Sequence, residues 1–562
     1  MRREASVVNK KVCSFPILFA LLALLIGTCA VVFPASAQAA PTSTGSITVS
    51  GTVARSYDAY QIFSANVVDG DSDAKIATDL AWASDAARDA ALPVLHSAGM
   101  PNSQTTAQEA AEWLNTDSHL TSALSAQLAR SLRGSGAESV ALNAGTTAEL
   151  SCGYWLIVAK DDAISQNEAG TAPIMALVGG SAVTVKPKAA TPKVAKHVLE
   201  DGTAAWQKAA DATVADDLYW RLSATVPAGL TAYDTYTVRF VDTMSAGLDP
   251  SKVAASMHVY VATGADGGFD AVQAGKDGRA GTEPAKGWTD ITTQCATKVA
   301  ADGTFTVRTG DLIAALGGAD AFTAGARVVA VYNAPLNSAC NHGIAKGNPN
   351  EVYLRYPRSP FADQSGDAGF TRTPSDDACA YTWDLALTKR GSDGDKPLAG
   401  AVLSIADDRG RTLAADGMWD AEGKATVTTG EDGRVAVSGV DSGKLEVREL
   451  KAPKGYTAFE GTRSVTVKAE GLDVDQVAAA KPKLTITAES PLRADSADGS
   501  TGSLEASLIN TPTGTPPSIT TGGFMPSTGD MAMYAAAAAA VAGAALIVVA
   551  LLVKRGGGSH KE

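Results

Sequence analysis

Apolar and polar residues alternate along much of the chain with the period of two that is typical of half-buried β-strands. Residues 45–53, 57–63 and 153–159 show this pattern clearly. Val/Thr alternation continues further along the chain, and the 54 glycines indicate frequent turns between short strands. The pattern predicts a mainly β protein built from tandem immunoglobulin-like β-sandwich domains.

One region of the first domain has a helical period instead. Thr106 and Glu109 have the spacing of a capping box, which predicts that a helix begins there. Farther on, leucines recur at every fourth position, which is also helical spacing: Leu120, Leu124, Leu128 and Leu132. The first domain should therefore carry a helical insert.

Two apolar runs lie outside the predicted domains. The run at 15–33 follows basic residues and precedes small residues, which predicts a secretory signal peptide over 1–39. The run at 531–553 carries no charge and is followed by Lys554 and Arg555. As a helix it would be roughly 34 Å long, enough to cross a hydrocarbon core of about 30 Å. We therefore expect an exported chain with a C-terminal transmembrane helix.

Composition narrows the function classes. The net charge of −13, with no basic stripe, argues against a nucleic-acid partner. No Cys-x-x-Cys motif or cluster of histidines indicates a metal site, and we expect no cofactor. Hydrolase motifs such as Gly-x-Ser-x-Gly and His-Glu-x-x-His are also missing from the sequence, which disfavours a surface hydrolase.

Shifts in composition divide the chain into segments. Residues 359–378 are polar and contain Gly, Pro and Asp, as a linker does, and residues 512–524 are rich in Thr, Pro and Gly, as an extended spacer is. The predicted order is a signal peptide at 1–39, a first domain at 40–189, a middle β-sandwich at 190–358, a linker at 359–378, a C-terminal domain at 379–511, a spacer at 512–524 and a terminal segment at 525–562.

A pentapeptide stands immediately before the second apolar run: Met525-Pro526-Ser527-Thr528-Gly529. The order of pentapeptide, apolar span and basic tail resembles the Leu-Pro-x-Thr-Gly cell-wall sorting signal of Gram-positive bacteria, with Met525 in place of Leu. The resemblance implies that a sortase cysteine attacks the Thr528 carbonyl, releases Gly529 onward and passes the acyl group to an amine.

The end of the first domain supplies a candidate amine. Residues 183–188, Val-Thr-Val-Lys-Pro-Lys, resemble the motif Val-x-Val-Tyr-Pro-Lys-Asn of the sortase-assembled backbone pilins of Gram-positive bacteria. Lys188 takes the position of the acceptor lysine, while Lys186 replaces the tyrosine and Ala189 the asparagine. Lys186 and Lys193 remain alternative acceptors.

The C-terminal domain resembles a Cna protein B-type domain. Its opening, its E-box and its last strand are matched by residues 387–389 with 396–402, 445–456 and 508–512. The resemblance implies a spontaneous isopeptide bond between Lys389 and Asn510, assisted by Glu449. Burial disfavours charged side chains, so a neutral Lys389 amine can attack the amide while Glu449 transfers protons and ammonia leaves.

The middle domain resembles the middle domains of the same pilins. Lys196 lies on its opening strand, and Asp242 resembles the aspartate that assists bond formation there. We expect Asn350 to be the partner because it enters a strand in which its side chain can face inward; Asn348 is the alternative asparagine. Lys193 is the weaker alternative to Lys196.

Four cysteines follow the predicted signal peptide, and export would permit disulfides between them. Three pairings are open. Cys340 and Cys379 flank the end of the middle domain and are the preferred pair, which leaves Cys152 and Cys295 over.

The resemblance to backbone pilins implies a structural shaft subunit of a surface pilus with a role in adhesion. A class C sortase would join Thr528 of one subunit to Lys188 of the next, giving an open head-to-tail fibre. Further partners would be a housekeeping sortase, accessory pilins, peptidoglycan and a host surface ligand. The precursor would be held in the membrane and the pilus attached to the cell wall.

The only catalysis would be single-use formation of the internal crosslinks. The alternative is a wall-anchored adhesin that does not polymerise, for which Lys188 is dispensable.

Overall fold

The computed structural model describes residues 43–514, apart from 52–54, 72–73, 117, 162–163, 165–166, 189–190, 229 and 265–285. The predicted signal peptide, the apolar run at 531–553 and the pentapeptide at 525–529 lie outside the described residues. Within the part of the chain that the structure describes, no helix is long and apolar enough to cross a membrane.

The first domain combines two small sheets with three helices. One sheet has the order β5-β1-β8, and the other has the order β3-β2-β6-β7 with β4 paired to β2. The elements are β1 (Thr44–Val49), β2 (Ser56–Asp69), β3 (Lys75–Trp82), α1 (Asp85–Ser97), α2 (Ala107–Asn115), α3 (Ser122–Gly134), β4 (Ser139–Asn143), β5 (Thr147–Ser151), β6 (Gly153–Ala159), β7 (Ile174–Val178) and β8 (Val183–Val185).

Strand β2 separates two apolar clusters of this domain. Tyr57 and Ala59 pack with β1, whereas Ile62 packs with the helices. The helical insert is as predicted: the Thr106–Glu109 capping box begins α2, and the leucines of α3 are buried at Leu124, Leu128 and Leu132.

The second domain is a two-sheet β-structure whose sheets have the orders β10-β9-β12-β18-β14-β15 and β11-β21-β19-β13-β17-β16, with β20 paired to β19. Side chains from both sheets, including Trp220, Leu222, Phe240 and Leu354, share one apolar core. The elements are β9 (Val194–Glu200), β10 (Ala205–Gln207), β11 (Ala209–Asp211), β12 (Tyr219–Thr225), β13 (Arg239–Met244), α4 (Val253–Ser256), β14 (His258–Ala262), β15 (Thr289–Asp290), β16 (Ala296–Val299), β17 (Thr304–Arg308), α5 (Leu312–Ala315), β18 (Arg327–Asn333), β19 (Asn348–Pro357), β20 (Phe370–Arg372) and β21 (Asp376–Tyr381).

Residues 359–378 are not a free linker. They contain β20 and the start of β21, and both strands pair with β19 in the second domain. The same segment contacts the first domain, because Arg130 and Arg133 of α3 lie over the Phe361 ring at 5.5 and 5.0 Å. Most of its charged residues are exposed or partly exposed while its backbone pairs with β19, which explains why composition alone suggested a linker.

The third domain is a second two-sheet β-structure. Its sheets have the orders β27-β22-β33-β29, with β32 paired to β33, and β25-β24-β23-β28-β30-β31, with β26 paired to β23. The first and last strands, β22 and β33, are parallel neighbours. The elements are β22 (Trp383–Gly391), β23 (Val402–Ala406), β24 (Thr412–Leu413), β25 (Trp419–Asp420), β26 (Val427–Thr428), β27 (Arg434–Val440), β28 (Gly443–Lys451), β29 (Tyr456–Thr457), β30 (Thr462–Glu470), β31 (Lys483–Ala488), β32 (Leu492–Asp498) and β33 (Ser503–Pro512).

The Cys340–Cys379 disulfide expected from the sequence is not formed. Cys152, Cys295, Cys340 and Cys379 are all free thiols. Cys340 belongs to the core of the second domain, and its Sγ lies 3.6 Å from Nε2 of His342. Cys379 is buried in the core of the third domain. The two thiols therefore belong to different cores, although both residues flank the end of the middle domain.

Candidate crosslinking sites

The third-domain site is set by the register of β22 and β33. Lys389 lies opposite Leu508, and Asn510 lies opposite Gly391. Because side chains two residues apart share a face of a strand, Lys389 and Asn510 point to the same side of this sheet. Glu449 reaches them from β28 in the facing sheet.

The three side chains meet in a buried space. Nζ of Lys389 lies 3.5 Å from Oε1 of Glu449, and neither side chain has exposed surface. Nδ2 of Asn510 donates hydrogen bonds to both Glu449 oxygens, at 2.9 and 3.0 Å. Oδ1 of Asn510 is buried and has no hydrogen-bond partner among the described residues. The amide is thus held by its nitrogen while its carbonyl oxygen remains available to a donor.

Burial controls the charge of the lysine. Desolvation lowers the pKa of Lys389 to about 8, although the adjacent Glu449 carboxylate acts in the opposite direction. A lysine in water has a pKa near 10.4, so this amine reaches its neutral, nucleophilic form much more easily than an exposed one.

The second-domain site brings together residues from both sheets. Lys196 lies on β9 of one sheet, whereas Asp242 and Asn350 lie on β13 and β19 of the other. Asn350 is opposite Met244 in this antiparallel pair, two residues from Asp242. The register therefore places the carboxylate and the amide on one face.

A tyrosine connects these three side chains. Nζ of Lys196 forms a short ion pair with Oδ2 of Asp242, and it also donates to the Tyr332 hydroxyl at 3.0 Å. The same hydroxyl donates to Oδ2 of Asp242 at 3.2 Å and accepts from Nδ2 of Asn350 at 2.8 Å. Lys196, Asp242, Tyr332 and Asn350 are all 0% exposed.

Apolar surroundings shift both ionisable partners toward their neutral forms. Desolvation lowers the pKa of Lys196 to about 8, against the opposing effect of Asp242. Desolvation also raises the pKa of Asp242, against the opposing effect of Lys196. Lys196 Nζ lies 5.6 Å from the centre of the Trp220 ring, which contributes to the apolar wall.

Asn348, the alternative asparagine, is occupied elsewhere. Its Oδ1 accepts from the Asn341 backbone N–H at 2.8 Å, and its Nδ2 donates to the carbonyl oxygens of Asn341 and Ala380 at 2.9 and 3.2 Å. These bonds hold the Asn348 side chain at the start of β19, against residue 341 and β21, whereas the Asn350 side chain contacts Tyr332.

The candidate acceptor lysines lie at the surface. Lys188 follows β8, which pairs in parallel with β1, and its side chain is exposed. Lys186 and Lys193 are exposed as well. Accessibility therefore does not separate the three lysines, and the Thr528 donor lies outside the described residues.

Tyr332 is the site residue that sequence reasoning missed. It lies in β18 within the run Val-Val-Ala-Val-Tyr-Asn, where every residue from Val328 to Asn333 is buried. Such a run is typical of an ordinary core strand, so only the contacts of its hydroxyl reveal its place in the site. Among the described residues, no group of His, Cys, Asp or Glu is arranged to hold a metal ion.

Residues 384–481 match a family model described as SpaA, a prealbumin-like fold domain. The match begins in β22 and extends beyond β30, so it includes Lys389 and Glu449. The third domain therefore has a SpaA-type prealbumin-like fold.

One curated relative shares a segment of sequence. Over 143 residues the chain is 30% identical to the trypsin-resistant surface T6 protein of Streptococcus pyogenes serotype M6. The segment is 24% of this chain and 24% of that protein, so the chain spans about a quarter of the length of this relative.

Solved structures with similarity include two pilins. The T6 backbone pilin of serotype M6 Streptococcus pyogenes has 17% identity and a TM-score of 0.44, with 84% of this chain and 98% of that chain covered. The full-length major pilin SpaD from Corynebacterium diphtheriae has 15% identity and a TM-score of 0.41, with 84% of this chain and 100% of that chain covered.

Proposed function

We propose that this protein is the shaft subunit of a covalently polymerised surface pilus. The observation that carries the proposal is that two successive domains each bury a lysine, a carboxylate and an asparagine together, with the lysine on the first strand of the domain. An amide bond at each place would tie the start of a domain to a strand near its end. Such bonds suit a subunit that is pulled from both ends.

Each bond would form without an external catalyst. The lysine gives a proton to the neighbouring carboxylate, and the neutral Nζ attacks Cγ of the asparagine. The Cγ–Nδ2 bond breaks as Nδ2 gains a proton, so the products are one amide and one ammonia. Proximity within the folded core supplies much of the rate. The protein is therefore a substrate and a structural element rather than an enzyme with turnover.

Polymerisation would use the two ends of the chain. A class C sortase would carry the Thr528 acyl group to Lys188 of the next subunit, and a housekeeping sortase would attach the base of the fibre to peptidoglycan. The exposure of Lys188 beside a strand end supports this assignment, since an acceptor amine must enter the cleft of another protein. The similarity to a protein named as a surface protein agrees with this location.

The experiment is an immunoblot of enzymatically released cell wall from strains carrying the wild-type chain, Lys188→Ala or Lys193→Ala. We expect a boiling-resistant ladder of multimers for the wild type and for Lys193→Ala, and monomer alone for Lys188→Ala. Lys193 is the matched control because it is an exposed lysine only five residues away.

A ladder that persists in Lys188→Ala would move the acceptor to Lys186 or Lys193. If the wild type gives no ladder at all, the shaft function is wrong and the monomeric wall-anchored adhesin replaces it.

A further inference from the structure

The two crosslinking sites differ in how the carboxylate reaches the asparagine. In the third domain, Glu449 hydrogen-bonds to Nδ2 of Asn510 directly. In the second domain, Asp242 is shorter by one methylene, and the structure gives it no hydrogen bond to Asn350. The Tyr332 hydroxyl occupies the position between them and contacts both.

We propose that Tyr332 is a catalytic residue of the second-domain crosslink, which relays a proton from Asp242 to the leaving nitrogen of Asn350. This inference rests on the proposed Lys196–Asn350 bond. It explains how a carboxylate that contacts the nucleophile but not the amide can also protonate the leaving group.

The relay returns every proton it borrows. Lys196 passes one proton to Asp242, and its neutral Nζ forms a bond to Cγ of Asn350. The Tyr332 hydroxyl gives its proton to Nδ2 and takes the carboxyl proton of Asp242, while the Cγ–Nδ2 bond breaks. Asp242 then receives the surplus proton of Nζ. The products are the amide, one neutral ammonia and a protonated Asp242, with Tyr332 unchanged.

The surroundings of Tyr332 suit a relay. Its ring packs edge-on against Phe305, with ring centres 4.8 Å apart, so the hydroxyl is held in place. Desolvation raises the pKa of Tyr332 well above 10, so the phenol keeps a proton to donate. Before the reaction its hydroxyl donates to Oδ2 of Asp242 and accepts from Nδ2 of Asn350. Once Asp242 holds the lysine proton and Nδ2 has become the basic amine of the tetrahedral intermediate, the hydroxyl hydrogen turns from Asp242 to Nδ2 and both hydrogen bonds reverse, which is the direction the relay requires.

The test follows joining over time in the chain from residue 40 to residue 523, which keeps every described residue. The chain is synthesised in a cell-free system, collected unfolded in urea, diluted into folding buffer and sampled by mass spectrometry of peptides. Tyr332→Phe removes only the hydroxyl. We expect it to join Lys196 to Asn350 about 100-fold more slowly than the wild type, within the usual range for general acid–base catalysis. The Lys389–Asn510 bond forms in the same sample at the wild-type rate and is the internal control.

Two further variants separate catalysis from packing. Tyr236→Phe alters another buried tyrosine of the same core, whose ring stacks edge-on against Tyr233. Within the described chain it makes no side-chain hydrogen bond to the site residues, so this variant should join normally. Lys196→Ala cannot form the bond, so it shows the effect of Tyr332→Phe on packing alone. The double variant should have the same thermal unfolding midpoint as Lys196→Ala within a few degrees.

A rescue variant provides a second readout. Asp242→Glu in the Tyr332→Phe background extends the carboxylate toward Asn350, as in the third domain, and should restore joining at least tenfold. Joining at the wild-type rate in Tyr332→Phe would overturn the relay. Equal rates in Tyr332→Phe and in Tyr332→Phe with Asp242→Glu would overturn it as well. If the wild type itself lacks the Lys196–Asn350 bond, the proposed crosslink fails, which is a different result from failure of the relay alone.

Discussion

Asn510 holds its side-chain nitrogen 2.9 and 3.0 Å from the two carboxylate oxygens of Glu449, inside the third domain. Lys389 approaches the same carboxylate from the neighbouring strand, with its Nζ 3.5 Å from Oε1. One carboxylate thus touches both the attacking and the leaving nitrogen, so a single substitution should remove both proton transfers.

Glu449→Gln should prevent the Lys389–Asn510 bond and make the chain one ammonia heavier than the wild type. By the chain-entropy model, loss of a crosslink that closes roughly 100 residues should lower the free energy of unfolding by about 4–5 kcal/mol. Intact mass and denaturant unfolding measure the two effects. Glu446→Gln is the control, since Glu446 lies on the same strand but is exposed. A bond that still forms in Glu449→Gln would contradict the role of Glu449.

Asn350→Ala should abolish the second-domain bond, because Asn350 is the asparagine that contacts Tyr332. Asn348→Ala should keep the bond and lose only the side-chain hydrogen bonds of Asn348 to Asn341 and Ala380. Peptide mass mapping distinguishes the two variants. The opposite result would exchange the roles of the two asparagines.

The rate at which Lys196 joins Asn350 should be highest at an intermediate pH and should fall on both sides of it. The reaction requires that Lys196 and Asp242 hold one proton between them. Lys196 gives this proton to Asp242, and the carboxyl group then supplies it for the leaving nitrogen of Asn350. Since burial lowers the pKa of Lys196 to about 8, the shared proton is lost above that pH and the rate should fall.

The decrease of the rate at low pH follows from the carboxyl group of Asp242. Burial raises the pKa of Asp242, and below it the site holds two protons with the amine charged, so the rate should fall again. Dilution of urea-unfolded chain into buffers of different pH, with peptide masses followed over time, measures this profile. A rate that kept increasing above pH 8 would indicate a simple amine nucleophile with no acid partner.

Phe361→Ala should loosen the contact between the first two domains without affecting the crosslinks. Its ring lies beneath the guanidinium groups of Arg130 and Arg133, and each such contact is worth about 0.5–1 kcal/mol at an exposed site. We expect a lower calorimetric midpoint for the first domain and an unchanged intact mass. Ser365→Ala, an exposed position in the same segment, is the control. An unchanged midpoint in Phe361→Ala would mean that the contact contributes no stability.

The sequence predicted those features that depend on local spacing. The Thr106–Glu109 capping box and the leucine repeat of α3 act within one or two helical turns, so both could be read directly. The inward orientation of Asn350 could also be predicted, because side chains alternate between the two faces of a strand. Alternation places Asn348 on the same face, so only the contacts of the two side chains distinguish them.

Features that depend on which strands pair could not be predicted from local spacing. The segment at 359–378 has the composition of a linker, yet its backbone completes a sheet through β20 and β21. Tyr332 looks like a core residue because its function depends on side chains that come from other strands. The disulfide prediction was wrong for the same reason, since flanking the same domain end did not put Cys340 and Cys379 in one core.

The parallel pairing of β22 with β33 determines where tension would travel in a fibre. With the proposed bonds in place, a pull on Thr528 passes from Asn510 to Lys389, back along the chain to Asn350, across to Lys196 and on to Lys188. Residues 197–349, residues 390–509 and the first domain before Lys188 lie outside this covalent path. Their loops and helices could change in sequence, or carry insertions, without weakening the fibre.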